Sequence, residues 1–196
     1  MRTLPVVFVW LGLTLGPPPA TAQWTVAADL GVARFGGSSR DSSGARVGPY
    51  RPTTFELRVE RGLGGPARVA IAVLYAKPGI AGEQEGLAIV QYDVASLWEI
   101  APQASFCVAR FGAGVEARLE AGPAFELWDL NGESRNRVGG RAAAVVEWPL
   151  ARALSGALRV SGVLSPSVFD AADTPSGVER RATRRVGVAL GLRYQL

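Results

Sequence analysis

A two-residue alternation starts after Gln23, runs to Leu196, and constrains this chain more than any other feature. At the C-terminus Val186, Val188, Leu190, Leu192, Tyr194 and Leu196 share one parity, and Gly187, Ala189, Gly191, Arg193 and Gln195 take the other. Over 115–127 the apolar parity is Val115, Ala117, Leu119, Ala121, Pro123, Phe125 and Leu127. The opposite parity there is Glu116, Arg118, Glu120, Gly122, Ala124 and Glu126. A helix would scatter those charges around its axis. A strand gathers them on one face, because successive side chains point to opposite sides. The 24 glycines argue the same way, since glycine is costly inside helices.

The alternation divides into eight strands, near 24–35, 50–61, 67–77, 88–108, 115–128, 137–148, 157–169 and 183–196. Between them, 36–49, 78–87, 129–136 and 170–182 are long and polar, whereas 62–66, 109–114 and 149–156 are mostly shorter. Long and short connections therefore alternate in order. A soluble sandwich has no reason to sort its loops so. A membrane barrel does: long loops face outside, and short turns face the periplasm with both termini. The predicted fold is all-β, an eight-stranded antiparallel up-and-down transmembrane β-barrel over 23–196. The first loop, with Arg40, Asp41 and Arg46 among Gly and Ser, reads as flexible. Pro102, Pro123 and Pro166 fall inside the fourth, fifth and seventh strands on the apolar parity. Proline cannot donate to a ladder, so bulges or strand portions beyond the bilayer are expected there.

Residues 1–22 read as a cleaved signal peptide. Arg2 supplies the positive start, and Leu4 to Gly16 is an apolar run too short for a comfortable membrane helix. Pro17, Pro18 and Pro19 break it, and Ala20-Thr21-Ala22 fits a small-x-small cleavage site. Export to the outer membrane of a Gram-negative-type bacterium follows as the expectation.

The two faces differ in kind. The charged face carries Asp29, Glu56, Glu60, Asp93, Glu99, Glu116, Glu120, Glu126 and Glu147 against Arg58, Arg68, Arg118, Arg137, Arg141, Arg159, Arg185 and Arg193. Acids and bases nearly balance, as expected of ion pairs filling a lumen that eight strands leave just wide enough for side chains. The residues assigned to this interior network are Glu56, Arg58, Glu60, Glu99, Glu116, Arg118, Glu120, Arg141, Glu147, Arg159 and Arg193. On the apolar face, charge occurs only near strand ends, at Arg34, Arg61, Lys77 and Arg184. Aromatics on that face sort by height into two girdles. Trp24, Phe106, Trp148 and Tyr194 form the periplasmic girdle, and Phe55, Tyr75, Tyr92 and Phe125 the outer one.

Composition removes most chemistry. There is no histidine, which excludes an imidazole base or ligand. Lys77 is the only lysine, and nothing pairs a serine with it. Glu116 and Glu120 have Arg118 between them, the pattern of a structural network rather than acid–base work. Cys107 is the only cysteine and reads as a small inward core residue. The expectation is no enzymatic activity, no catalytic residues, no cofactor and no metal. Nucleic acid is excluded as a partner because acids and bases interleave along the same segments despite a net charge of +4. Arg180, Arg181 and Arg184, near the outer rim, suit contact with lipopolysaccharide phosphates.

The pattern resembles the small eight-stranded outer-membrane β-barrel proteins of OmpA/OmpX-type architecture, over the whole of 23–196. The most specific piece is Val186 to Leu196. It is similar to the family's C-terminal signal, with alternating apolar residues and an aromatic, here Tyr194, third from the end. The family usually ends in Phe or Trp, and this chain ends in Leu196. The resemblance implies recognition by the barrel-assembly machinery through the last strand, a lipid environment and a monomer. Some members of that family edit lipid with histidine, which this chain lacks, so those mechanisms cannot run here. A structural or surface-contact role is the leading expectation. A narrow channel for small solutes and a periplasmic lipocalin-like binder of apolar ligands are the alternatives.

Overall fold

The structure, a computed structural model, describes residues 24–36, 39–40, 46–50, 52–84, 87–91, 95–130, 132–168 and 181–196. The expected leader over 1–22 lies outside the described residues, as do Asp41, Tyr92, Asp93 and Arg180.

Among the described residues twelve strands follow one another. They are β1 Trp24–Gly36, β2 Ser39–Arg40, β3 Arg46–Pro49, β4 Thr53–Gly62, β5 Ala67–Ala76, β6 Ile80–Gln84, β7 Leu87–Gln91, β8 Ala95–Phe111, β9 Val115–Leu130, β10 Glu133–Ala151, β11 Leu154–Ser165 and β12 Thr183–Gln195. Eight of them close into an antiparallel barrel in the order β1-β12-β11-β10-β9-β8-β5-β4. The remaining four, β2-β3-β6-β7, make a separate sheet. Following paired residues from Arg34 once around the wall leads back to β1 at Trp24, ten residues lower, a shear of 10. Strand number and shear together set a narrow lumen that side chains can fill. One end of the barrel carries the β4–β5, β8–β9 and β10–β11 turns together with Trp24 and Leu196, and is called the turn end. The other is the loop end.

The barrel is inside-out relative to a soluble protein. Leu190 is 62% exposed on the outer face, while Arg58 is 1% exposed in the lumen. Leu30, Val32, Ile71, Leu119, Val138 and Val188 are exposed in the same way. This is the reverse of a lipocalin-like binder, whose apolar residues would line the interior.

Four expectations about boundaries are corrected. The fourth strand does not run from 88, because Leu87–Gln91 belongs to the separate sheet and the barrel strand begins at Ala95. The first two long connections are not plain loops. They pair with each other through β3 and β6, and Arg40 lies opposite Arg46 across β2 and β3. Backbone groups that leave the wall find partners in a second sheet. The stretch 129–136 is not a loop either. β9 and β10 continue as one long hairpin, paired as far as Leu130 with Glu133, with Gly132 in the turn. Gly132 takes a positive φ of 86°, and its N–H donates to Asp129 Oδ1 at 3.0 Å. The seventh strand ends at Ser165, so Pro166 lies outside it.

Pro102 and Pro123 are accommodated without a bulge between them. The β8–β9 ladder pairs Ile100 with Phe125, lapses, and resumes in the same register at Ala104 with Ala121. The two prolines therefore face each other across the lapse, where neither could donate. Gly122 beside them is obligatory, since a Cβ there would lie 2.0 Å from the Pro102 carbonyl oxygen. The only register slip between β8 and β9 falls lower, between Cys107 and Ala109.

Candidate functional site

The lumen is stacked in layers. Nearest the turn end, Arg68 on β5 reaches Glu147 Oε2 at 3.0 Å and Glu116 Oε2 at 3.2 Å, and lies 3.7 Å from Glu60. Arg193 on β12 donates to both Glu147 and Glu60. Arg118 on β9 pairs with Glu116 at 3.1 Å, and also donates to Ser105 Oγ at 3.0 Å and to the Pro66 carbonyl at 2.8 Å. Its acid is thus Glu116 rather than Glu120, and it pins the β4–β5 turn as well. Arg110, largely exposed at the rim, also donates to Glu116.

The middle layer centres on Arg58. It donates to Glu120 at 2.8 and 2.9 Å and to Glu56 at 2.5 Å, with Glu60 3.5 Å away. Arg159 holds Glu120 from the other side, together with Asp29 at 3.2 Å. Gly191 makes room for that carboxylate, since a Cβ there would fall 1.6 Å from Asp29 Oδ1. Above this, Arg141 joins Glu56 at 2.6 Å to Glu99 at 2.8 Å, and Arg185 donates to Glu99.

All eleven residues assigned to the network from sequence lie on the lumen side. Most are at least nine-tenths buried, with Glu116 at the mouth more exposed. Some pair along one strand, as Arg58 does with Glu56 and Arg118 with Glu116, and others reach across to another strand, as in Arg58 with Glu120 and Arg193 with Glu60. Asp29, Arg68 and Arg185 complete the set. Burial of so many charges is tolerable only with such pairing, because an unpartnered buried ion is very costly. At the turn end the network floors an open vestibule of about 340 Å³ lined by Thr25, Gly62, Arg68, Ser155 and Gln195 among others.

Towards the loop end the lumen changes character. Leu74, Ala76, Ala95, Leu97, Trp128, Leu130 and Val168 form an apolar cluster, with Phe35 packed against it. Trp128 is 1% exposed, and its ring meets Phe35 edge-on at a centroid distance of 5.6 Å. Its Nε1 donates to Glu126 Oε2 at 3.2 Å, joining the lid to the last charged layer. Val168 comes from the connection after β11. It is held inside by Arg135 and Arg137 of β10, which donate to the carbonyls of Val168 and Ser167. The sequence reading missed this lid. Its signal was an inward-parity tryptophan and leucines at the end of otherwise charged strand faces.

On the outer surface, Trp24, Phe106 and Tyr194 are exposed and Trp148 is half-buried, all toward the turn end. Phe55 and Phe125 are exposed nearer the loop end. Tyr75 is half-buried because its ring packs on Trp98 at 4.7 Å. Trp98, 49% exposed, shares their parity and was overlooked. Arg61 sits over the Trp24 ring at 5.5 Å. Cys107 is half-buried at the β8 register slip rather than in the core, and its Sγ contacts the Ala109 carbonyl at 3.5 Å. Of the arginines assigned to lipopolysaccharide, Arg184 lies on β12 with its side chain exposed, and Arg181 is exposed just before that strand.

No protein-family model matches the chain, and no curated protein matches it. Solved structures do. Neisserial surface protein A (NspA) aligns with a TM-score of 0.59 at 14% identity, covering 88% of this chain and 97% of that one. The outer membrane protein OprG from Pseudomonas aeruginosa gives 0.59 at 11%, covering 89% and 96%. The N-terminal β-barrel domain of Pseudomonas aeruginosa OprF gives 0.50 at 12%, covering 89% and 100%. With eight antiparallel strands, short turns at one end and an apolar outer face, the chain has the fold of the small outer-membrane β-barrels.

Proposed function

We propose that this protein is a non-enzymatic outer-membrane β-barrel, exported with a cleaved leader, whose lumen admits no steady flow of solute. Its role is structural, or made through contacts at the loop end. The observation that carries the reading is the lumen itself. Layers of cross-barrel ion pairs fill it from the turn end, and an apolar lid built on Trp128 closes it above. A selective pore tends to line its wall with one sign of charge and to leave a water path. Here acids and arginines alternate and engage each other. The same engagement argues against catalysis, because each network carboxylate is held by arginine. The exposed leucines and valines of the wall fit hydrocarbon outside.

Two measurements test this. Protein refolded in detergent should migrate differently on a gel when unheated and when boiled, because a closed barrel has no edges at which to open. Identical mobility would remove the membrane-barrel reading. In a planar bilayer the refolded protein should show no steady conductance. Reproducible single-channel steps that change when Arg58 or Glu120 is substituted would establish a channel instead.

A further inference from the structure

Barrel closure brings together two arginines that lie far apart in sequence. Arg34 on β1 is opposite Val186 on β12, and Gly36 is opposite Arg184. Arg34 and Arg184 are therefore diagonal neighbours on adjacent strands, at a backbone separation of roughly 7–8 Å. Both side chains are exposed on the outer, apolar face. Gly36, directly beside Arg184, places no side chain between them.

Their level on the wall is informative. Arg34 lies ten residues above Trp24 on β1, and Arg184 lies ten above Tyr194 on β12. With a rise of about 3.3 Å per residue and the tilt of such barrels, that is roughly 24 Å along the axis, the height of a hydrocarbon band. The two guanidinium groups thus stand where the outer headgroups begin. Below them the wall is apolar: Val32, Val186, Val188 and Leu164 are all exposed. Among the described residues neither arginine has a carboxylate partner, in contrast to those of the lumen.

Resting on the outer-membrane reading, we infer that Arg34 and Arg184 form a clamp for a phosphate of an outer-leaflet glycolipid, the lipid A portion of lipopolysaccharide. Guanidinium forks bind phosphate oxygens through paired charge-assisted hydrogen bonds. The apolar strip beneath the pair accepts the acyl chains that such a lipid carries and a free anion lacks. The clamp also spans the β1–β12 seam, where the first and last barrel strands meet.

The test uses the full mature chain refolded in zwitterionic detergent. Binding is measured for diphosphoryl lipid A, for dephosphorylated lipid A and for inorganic phosphate. Wild type should bind the diphosphoryl form. Arg34→Gln/Arg184→Gln should bind it about tenfold or more weakly, as expected for the loss of charge-assisted contacts. Each single variant should fall between. Arg34→Lys/Arg184→Lys should retain part of the affinity, and Arg61→Gln, at the turn end, should match wild type. Unchanged binding by the double Gln variant overturns the clamp. So does equal binding of the dephosphorylated lipid. Inorganic phosphate displacing lipid A at comparable concentration would assign the site to a free anion and overturn the lipid. Should the double Gln variant fail to refold, Arg184→Gln alone carries the comparison. The gel shift of unheated wild type separately reads the barrel itself, so its failure is distinguishable from failure of the clamp.

Discussion

The lumen holds two kinds of interior, one above the other, and they are stable for different reasons. Around Arg58 the interior is charged, and it exists only because its ions are paired, along β4 with Glu56 and Glu60 and across the barrel with Glu120. Around Trp128 it is apolar, and contact area and close packing hold it, whichever atoms supply them. The charged part is thus sensitive to the identity of single residues. The lid is sensitive to volume. Their positions also make sense together. The lid lies between the network and the loop end, and at the turn end a vestibule meets Arg68, Arg193 and Glu147.

Removing one partner from the charged part should have the largest effect. Arg58→Met leaves an uncompensated negative charge among Glu56, Glu60 and Glu120, and should cost about 3–5 kcal/mol in urea unfolding from lipid vesicles. Adding Glu120→Gln should recover part of that. Glu56 then keeps Arg141, Glu60 keeps Arg193, and Arg159 keeps Asp29. Additive losses would mean that the pair is not coupled.

Emptying the lid should come next. Trp128→Ala should cost about 3 kcal/mol through the cavity it leaves, measured in the same way. It should also open the loop end, so single-channel recording of this variant tests whether the lid contributes to the proposed closure of the lumen. On the outer face, Leu190→Arg places a charge against hydrocarbon and should cost about 2–4 kcal/mol. A neutral result would reverse the facing of β12. One residue on, Gly191→Ala crowds Asp29 inside the lumen, and about 1–3 kcal/mol is expected from overpacking.

The sharpest contrast comes from substitutions that look conservative. Leu97→Met in the lid should cost less than about 1.5 kcal/mol, because volume is nearly kept. Arg58→Lys should cost more than that, because an ammonium cannot reproduce the fork that reaches Glu56 and Glu120 together. Comparable gel-shift midpoints for the two variants would erase the distinction between the regions.

Much of the fold was legible from one strand at a time. Parity is local: a side chain's face follows from counting residues along an extended chain. So Arg58, Glu120 and Arg159 could be assigned inward, and Leu190 and Tyr194 outward, with no knowledge of neighbours. The sorting of connections by length likewise put Trp24 and Leu196 at one end, although 129–136 proved to be a tight hairpin rather than a long loop. Boundaries failed where polarity was taken for a loop. The β9–β10 hairpin turned inside 129–136, and β2, β3, β6 and β7 formed within connections whose composition looked irregular.

What the tertiary structure decided is everything that depends on register between strands. Sequence placed Glu116 and Glu120 at equal distance from Arg118. Only the closed wall assigns Glu116 to Arg118 and gives Glu120 to Arg58 and Arg159. It set Pro102 against Pro123, turned Trp128 and Val168 into a lid, and stood Arg34 beside Arg184. The physical reason is the same in each case. Alternation has a period of two and is written along the chain, whereas a cross-barrel pair depends on the shear with which eight strands close.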